Sequence, residues 1–256
     1  MRILNFKTLD NKNYTDKKYW DDYFNRHKHK LSTVENSLFS DIFEKYLKPD
    51  RNKRVLEIGC ADSNFLCYLS KRFDYQAYGV DYSEAITKTV DLFKFNGLPE
   101  PTLYKNNFFS WKPGIKFDVV CSFGFIEHFD DINTVIEKHA ELVAPGGKMI
   151  ITLPHFAHAQ YFLHWLIDRE NLKKHNTKIM NLDSIRKAVM RYGLKIEYLS
   201  YYKTFGFWTE NNHMSRTLKT INWLIIKSGK VVTKIFGYDR PNFIFSPHLV
   251  CVATKI

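Results

Sequence analysis

Val55-Leu56-Glu57-Ile58-Gly59-Cys60-Ala61-Asp62-Ser63 is a short apolar run that breaks on a glycine and continues in small or polar residues. A run of this length bounded by a turn reads as a buried strand. A helical pattern from Ser63 to Phe73 follows at once, so the unit is strand, tight turn, helix. The same unit recurs downstream. Ala77 to Val80 predicts a second strand, with a helix from about Ser83 to Asn96 behind it, and Pro101 to Tyr104 a short third strand. Phe117 to Cys121 predicts a fourth strand, followed by a helix over Ile132 to Leu142. Lys148 to Leu153 predicts a fifth, introduced by the turn Pro145-Gly146-Gly147.

Such alternation means a mostly parallel sheet with helices on both faces. Beyond it the pattern changes to a helix over Met180 to Tyr192, a strand over Leu194 to Tyr202 and a last strand within Phe243 to Thr254. Upstream, apolar residues at helical spacing predict a helix from Ser32 to Leu47, ended by Lys48-Pro49. The expected fold is α/β: a doubly wound, seven-stranded, mostly parallel sheet with an antiparallel last strand. Residues 1–50 form an N-terminal helical lid and 51–256 the main domain, with an insertion at about 203–242 before the last strand. The amphipathic stretch 214–236 inside that insertion is expected to pack internally or to form a dimer contact, with a membrane surface as the alternative.

The 256 residues, 45% of them hydrophobic, can bury a substantial core. A formal net charge of +11 attracts anionic partners, although the lysines are scattered and the longest basic cluster is only Arg26 to Lys30. Cys60, Cys67, Cys121 and Cys251 show no C-x-x-C spacing, which argues for buried reduced thiols, a cytoplasmic protein and no metal site. No apolar stretch has the length of a membrane span.

In open α/β sheets the ligand sits at the carboxyl ends of the strands, where the winding reverses. Gly59 permits close backbone approach there, with Ala61 and Ser63 adding little bulk. Asp81, at the end of the second strand, suits a pair of ribose hydroxyls. A dinucleotide site would share these features, but the G-x-G-x-x-G fingerprint is absent. Glu57, within the first strand, favours a cationic cofactor over a pyrophosphate.

Residues 55–63 resemble motif I of the class I S-adenosylmethionine (SAM)-dependent methyltransferases. Gly79-Val80-Asp81-Tyr82-Ser83 is similar to the second motif, Phe117 to His128 to the fourth, and Leu142 to Thr152 to the segment entering strand five. The resemblance covers about residues 53–155. It implies SAM as cofactor and S-adenosylhomocysteine as product; the sequence shows no metal-ligand cluster, so no metal is expected. Glu57 would lie near the methionine amine, and Gly59, Cys60, Ala61 and Asp62 would form the cofactor turn. Asp81 would hold the ribose, with Tyr82 against the adenine. Asn107 and Phe108 would contact the adenine amine and ring, and Ser122 and Phe123 would offer carbonyls to the methionine amine. Motif I departs from the family in having Ala61 and Ser63 where glycines are usual.

A hydroxyl acceptor needs a base beside the methyl donor. His155, directly after strand five, and His128, after strand four, are the candidates. Tyr23, His158 and Trp208 are candidate substrate contacts, while His175 and His213 read as loop residues. The Asp/Asn-Pro-Pro-aromatic tetrad of nucleic-acid amine methyltransferases is replaced by Ser122-Phe123-Gly124-Phe125, so no nucleic-acid partner is expected. The reading is O-methylation of a small anionic metabolite, a sugar nucleotide or phosphorylated sugar in bacterial surface-polysaccharide or capsule biosynthesis, with homodimerisation open. The alternatives are an RNA or protein methyltransferase and a SAM-fold binding protein without turnover.

Overall fold

The computed structural model describes residues 13–26, 31–210 and 214–256. Residues 27–30 of the basic cluster and His213 lie outside the described residues. Seven strands, β1 (Arg54–Ile58), β2 (Gln76–Asp81), β3 (Thr102–Lys105), β4 (Phe117–Phe123), β5 (Val143–Pro154), β6 (Leu194–Tyr202) and β7 (His248–Lys255), form one sheet in the order β3-β2-β1-β4-β5-β7-β6. The first five pair in parallel, and β7 inserts antiparallel between β5 and β6. The winding reverses between β1 and β4, at the strand ends where a ligand is expected.

Helices α2 (Ser40–Tyr46), α3 (Asn64–Phe73) and α4 (Ile86–Phe95) pack on one face, burying Phe43, Leu66, Leu69 and Phe93. Helices α5 (Ile132–Leu142) and α8 (Leu182–Arg191) cover the other through Val135, Ile136, Ile185 and Val189. Ser63 starts α3, its Oγ accepting the Leu66 N–H at 3.1 Å. Helix α1 (Lys17–Arg26) lies upstream of these helices in the chain. Its approach is fixed where the Tyr14 N–H donates to the His128 carbonyl at 2.9 Å.

Two sequence expectations need correction. The helix expected from Ser32 begins only at Ser40. The side chain of Asn96, at the end of α4, accepts the Val34 N–H and donates to the Ser32 carbonyl, which keeps that segment out of a helix. The last strand begins at His248, not Phe243, because Asn242 Oδ1 accepts the N–H groups of Ile244 and Phe245 and holds a turn. Helices α6 (His158–Ile167) and α7 (Arg169–Leu172) went unforeseen. The amphipathic stretch does form a helix, α9 (Arg216–Phe236), but it buries only Gly229 and Thr233.

Candidate active site

Two cavities lie side by side at the carboxyl ends of the strands. The first, about 390 Å³, is walled by the segments that follow β1, β2, β3 and β4, with Trp20, Tyr23 and Phe24 of α1 above it. The second, about 420 Å³, lies towards β5 and is lined by Phe156, His175, Trp208 and His248 among others. Trp20, Tyr23, Phe65, Phe123, Gly124 and His128 line both, so these residues form the seam.

The floor of the first cavity is the turn after β1. Gly59 has a φ of +76°, a region that favours glycine, and a Cβ there would stand 2.7 Å from the Phe125 ring. Its N–H donates to the Val80 carbonyl at 2.9 Å. Asp81 ties the two motifs together: Oδ2 accepts the Ala61 N–H at 3.1 Å and Oδ1 the Ser83 N–H at 2.7 Å. Each oxygen keeps a lone pair for a ligand hydroxyl. Burial raises the Asp81 pKa, partly countered by the Ser83 and Ala61 hydrogen bonds.

Glu57 is buried and reaches the same cavity, where the Ser63 hydroxyl donates to Oε2 at 2.5 Å. Burial pushes its pKa up to about 8, the Ser63 hydrogen bond acting the other way. An ammonium group placed against this carboxyl would favour its ionised form. An aromatic-lined chamber with the Asp81 carboxylate at one end and the buried Glu57 carboxyl at its base fits the adenosyl and amino-acid ends of SAM.

The other expected cofactor residues divide. Ala61, Asp62, Tyr82, Asn107, Phe108 and Phe123 line the first cavity. Asn107 Oδ1 already accepts the Phe109 N–H at 2.9 Å, which leaves one lone pair of that oxygen. The side chains of Cys60 and Ser122 do not line the first cavity, although the contact expected of Ser122 would be made by its backbone carbonyl. Cys60 is buried beneath Gly79, and Ser122 Oγ lies 3.0 Å from His139 Nε2 inside the core.

The histidines divide too. His155 lines neither cavity. Thr152, Leu153, Pro154 and Phe156 line the second cavity, but His155 between them does not and is fully buried. Its Nδ1–H donates to the Ser246 carbonyl at 2.9 Å and its ring packs on Tyr201. His158 is exposed and packs edge-on against Phe243. Trp208 does line the second cavity, stacked on His248 at 4.9 Å.

His128 stands at the seam. Its Nδ1 lies 2.9 Å from the Lys174 carbonyl, so Nδ1 carries the proton and Nε2 the lone pair. Burial lowers its pKa to about 4 and keeps the ring neutral. Sequence reasoning missed what surrounds it. Glu127 is buried beside the cavity with Oε2 unpartnered, its pKa pushed up to about 8 by burial. His175 comes from the loop after α7, its Nδ1 2.6 Å from the Asn171 carbonyl, its ring 4.7 Å from that of His128. One donor atom from each of Glu127, His128 and His175 falls within a 4.8 Å group. Two imidazoles and a carboxylate are donors that suit a divalent transition metal. Only the Glu127-His128 pair was adjacent in sequence; His175 is joined to it by tertiary structure alone.

A family model described as a methyltransferase domain matches residues 27–199. A ubiquinone biosynthesis O-methyltransferase of Chelativorans sp. is 27% identical over 157 residues, covering 57% of this chain and 60% of that protein. One from Bradyrhizobium sp. is 26% identical over 122 residues, covering 44% and 48%. The chain thus spans between about half and three fifths of the length of these curated relatives. A Bacillus halodurans structure described as a putative methyltransferase superposes with a TM-score of 0.61 at 14% identity, over 86% of this chain and 99% of that one. Magnesium protoporphyrin IX methyltransferase of Synechocystis, solved with bound S-adenosylhomocysteine, gives 0.56 at 15% identity over 94% and 100%.

Proposed function

This chain belongs to the class I SAM-dependent methyltransferases, and we propose that it methylates a hydroxyl of an aromatic acceptor held in the second cavity, with His128 as the general base. The observation that carries the reading is the position of His128 at the seam, with a lone-pair Nε2 and a Nδ1–H fixed on the Lys174 carbonyl.

The cofactor supplies an electrophilic methyl group on a sulfonium. The chain's residues do the rest. Asp81 and Glu57 orient the two ends of the cofactor, while Trp20, Tyr23 and Phe24 roof the cavity and exclude water. Holding an acceptor oxygen in line can lower the barrier by roughly 7–11 kcal/mol. The hydroxyl proton passes to His128 Nε2 as the oxygen becomes nucleophilic. The resulting imidazolium keeps its Nδ1–H on the Lys174 carbonyl.

The walls of the second cavity favour an aromatic acceptor. Tyr19, Phe39, Phe156 and Trp208 offer ring surfaces, and the ionisable side chains there include the carboxyl groups of Glu127 and Glu210. The described residues that line this cavity include no Lys or Arg to neutralise the phosphates of a sugar nucleotide or phosphorylated sugar, which disfavours those acceptors and with them a role in polysaccharide or capsule biosynthesis. The sequence relatives named as ubiquinone O-methyltransferases agree with a phenolic acceptor.

The test is turnover of labelled SAM by purified protein with a substituted catechol, a nucleotide sugar and an RNA hairpin offered separately. Methyl transfer to the catechol oxygen is the expected result. Transfer only to the nucleotide sugar or the RNA overturns the acceptor assignment, and SAM binding without transfer to any of the three overturns the enzymatic reading.

A further inference from the structure

Helix α9 lies on the surface of the insertion between β6 and β7. Its inner edge is built for contact: the Phe205 ring lies so close to Gly229 that a Cβ there would overlap it. The outer half has no such partner among the described residues. Leu224, Val231 and Ile235, at spacings of seven and four, share one face and are 50%, 57% and 69% exposed. Beside this stripe runs a second, Trp223, Lys227, Lys230 and Lys234, at spacings of four, three and four. The Lys227 ammonium lies 5.5 Å from the Trp223 ring centre. The helix carries Arg216, Lys219 and these three lysines, and its sequence contains no Asp or Glu.

The exposed apolar surface continues beyond the helix. Phe205 links α9 to the turn that presents Phe243, Ile244 and Phe245, its ring 6.3 Å from that of Phe245. Gln160 then joins this turn to α6, its Nε2 donating to the Phe245 and Gly206 carbonyls at 2.7 and 2.8 Å. The outer side of α6 exposes Phe162 and Trp165, with the Arg169 guanidinium 4.0 Å from the Trp165 ring centre. On its inner side His164 touches Trp208, a wall of the second cavity.

We propose that α9, the 243–245 turn and the outer face of α6 form a docking surface for an anionic phospholipid bilayer. An apolar stripe flanked by lysines, with indole rings at the boundary, is the arrangement that lies in a membrane interface. Anionic headgroups complement a helix with five cations and no acids. A second copy of this chain would set the same basic face against itself, and a convex helix offers no groove for a peptide. No helix among the described residues is long and apolar enough to cross a membrane, so the surface rests on the bilayer. Docked this way, α6 brings the second cavity next to the membrane. The inference is independent of which acceptor is methylated.

The test is co-sedimentation of the full chain with vesicles of phosphatidylcholine alone and of phosphatidylcholine mixed with phosphatidylglycerol, at low and high salt. Binding is expected to the mixed vesicles, to weaken at least tenfold in high salt, and to fall at least tenfold in Leu224→Glu/Ile235→Glu and in Lys227→Glu/Lys230→Glu. Both variants change exposed side chains, and calorimetric binding of S-adenosylhomocysteine checks that each is folded. Failure to sediment with mixed vesicles overturns the proposal, as does equal binding to neutral ones. A dimer in solution that Leu224→Glu/Ile235→Glu dissolves, without vesicle binding, assigns the face to a second copy instead.

Discussion

The Ala61 N–H donates to Asp81 Oδ2 at 3.1 Å, so the turn after β1 and the carboxylate ending β2 are one hydrogen-bonded unit. Asp81 also accepts from Ser83, and these two bonds aim its remaining lone pairs into the first cavity. Asp81→Ala removes the ligand contacts and leaves two backbone donors without their acceptor. Hydrogen bonds to a charged group contribute about 1.5–3 kcal/mol each. The expected outcome is a loss of affinity for S-adenosylhomocysteine of at least 100-fold by calorimetry. Asp81→Asn, which keeps one acceptor oxygen, should lose less; equal affinity in wild type and Asp81→Ala would remove Asp81 from the site.

With Glu57 against the cofactor's ammonium group, cofactor binding is expected to be linked to a proton. Burial holds the Glu57 pKa at about 8, and a cation beside it favours the ionised carboxyl and lowers that value. Binding at pH 7 should therefore release a proton. Calorimetry in buffers of different ionisation enthalpy measures that number directly. Glu57→Gln should abolish the release and weaken binding; an unchanged release in that variant would place the proton elsewhere.

The motifs of residues 53–155 were legible because each maps onto one strand end, and the sheet places all of those ends on one rim. What failed to be legible depended on direction and on distant neighbours. Being directly after strand five made His155 a candidate base, but the turn before β7 seals it in: its Nδ1–H donates to the Ser246 carbonyl and its backbone N–H to that of Pro247. His175 had no local signal at all: its loop matters because the Lys174 carbonyl beside it holds His128. The period of α9 was readable, yet periodicity does not say which of two apolar stripes meets the protein. That depends on Phe205, which lies outside the helix.

His128→Ala should lower kcat by roughly 100- to 10,000-fold, the usual contribution of a positioned base, with little change in S-adenosylhomocysteine affinity. His155→Ala should leave kcat within a few-fold, because its ring contacts neither cavity, although the protein should lose stability from the void. The pair of variants, assayed with the same acceptor, separates the two histidines. Full activity in His128→Ala would end its assignment as base.

Gly79→Ala tests the packing beneath the cofactor turn. A Cβ at residue 79 would overlap Cys60 Sγ and approach Leu103 Cδ2 to 2.8 Å in the middle of the sheet. Overpacking of this kind costs about 1–3 kcal/mol. For a chain of this size each kcal/mol lowers Tm by roughly 2–4 °C. Adding Cys60→Ala removes one of the two obstructions, so the double variant should regain part of the loss. A double variant no more stable than the sum of the two single losses predicts would show that Cys60 is not the obstruction.

Buried ionisable groups of both kinds should give stability a maximum near pH 6.5. Burial lowers His128, His139, His164 and His248 to about 4, and His175 to about 3, from an ordinary 6.5. Between those values the unfolded chain binds more protons than the folded one, so stability falls as pH drops below 6.5. Glu57 and Glu127 act oppositely, with pKa values near 8 against an ordinary 4.5. The folded chain holds their protons where the unfolded chain does not, and that contribution is lost as pH rises through 8. Each group contributes a slope of up to about 1.4 kcal/mol per pH unit within its window. Below 6.5 the five histidines outnumber the two acids, so the acid side should be the steeper. Urea unfolding from pH 5 to 9 measures the curve, and Glu127→Gln should flatten its alkaline side. A stability that rises monotonically from pH 5 to 9 would mean that these groups are not buried as described.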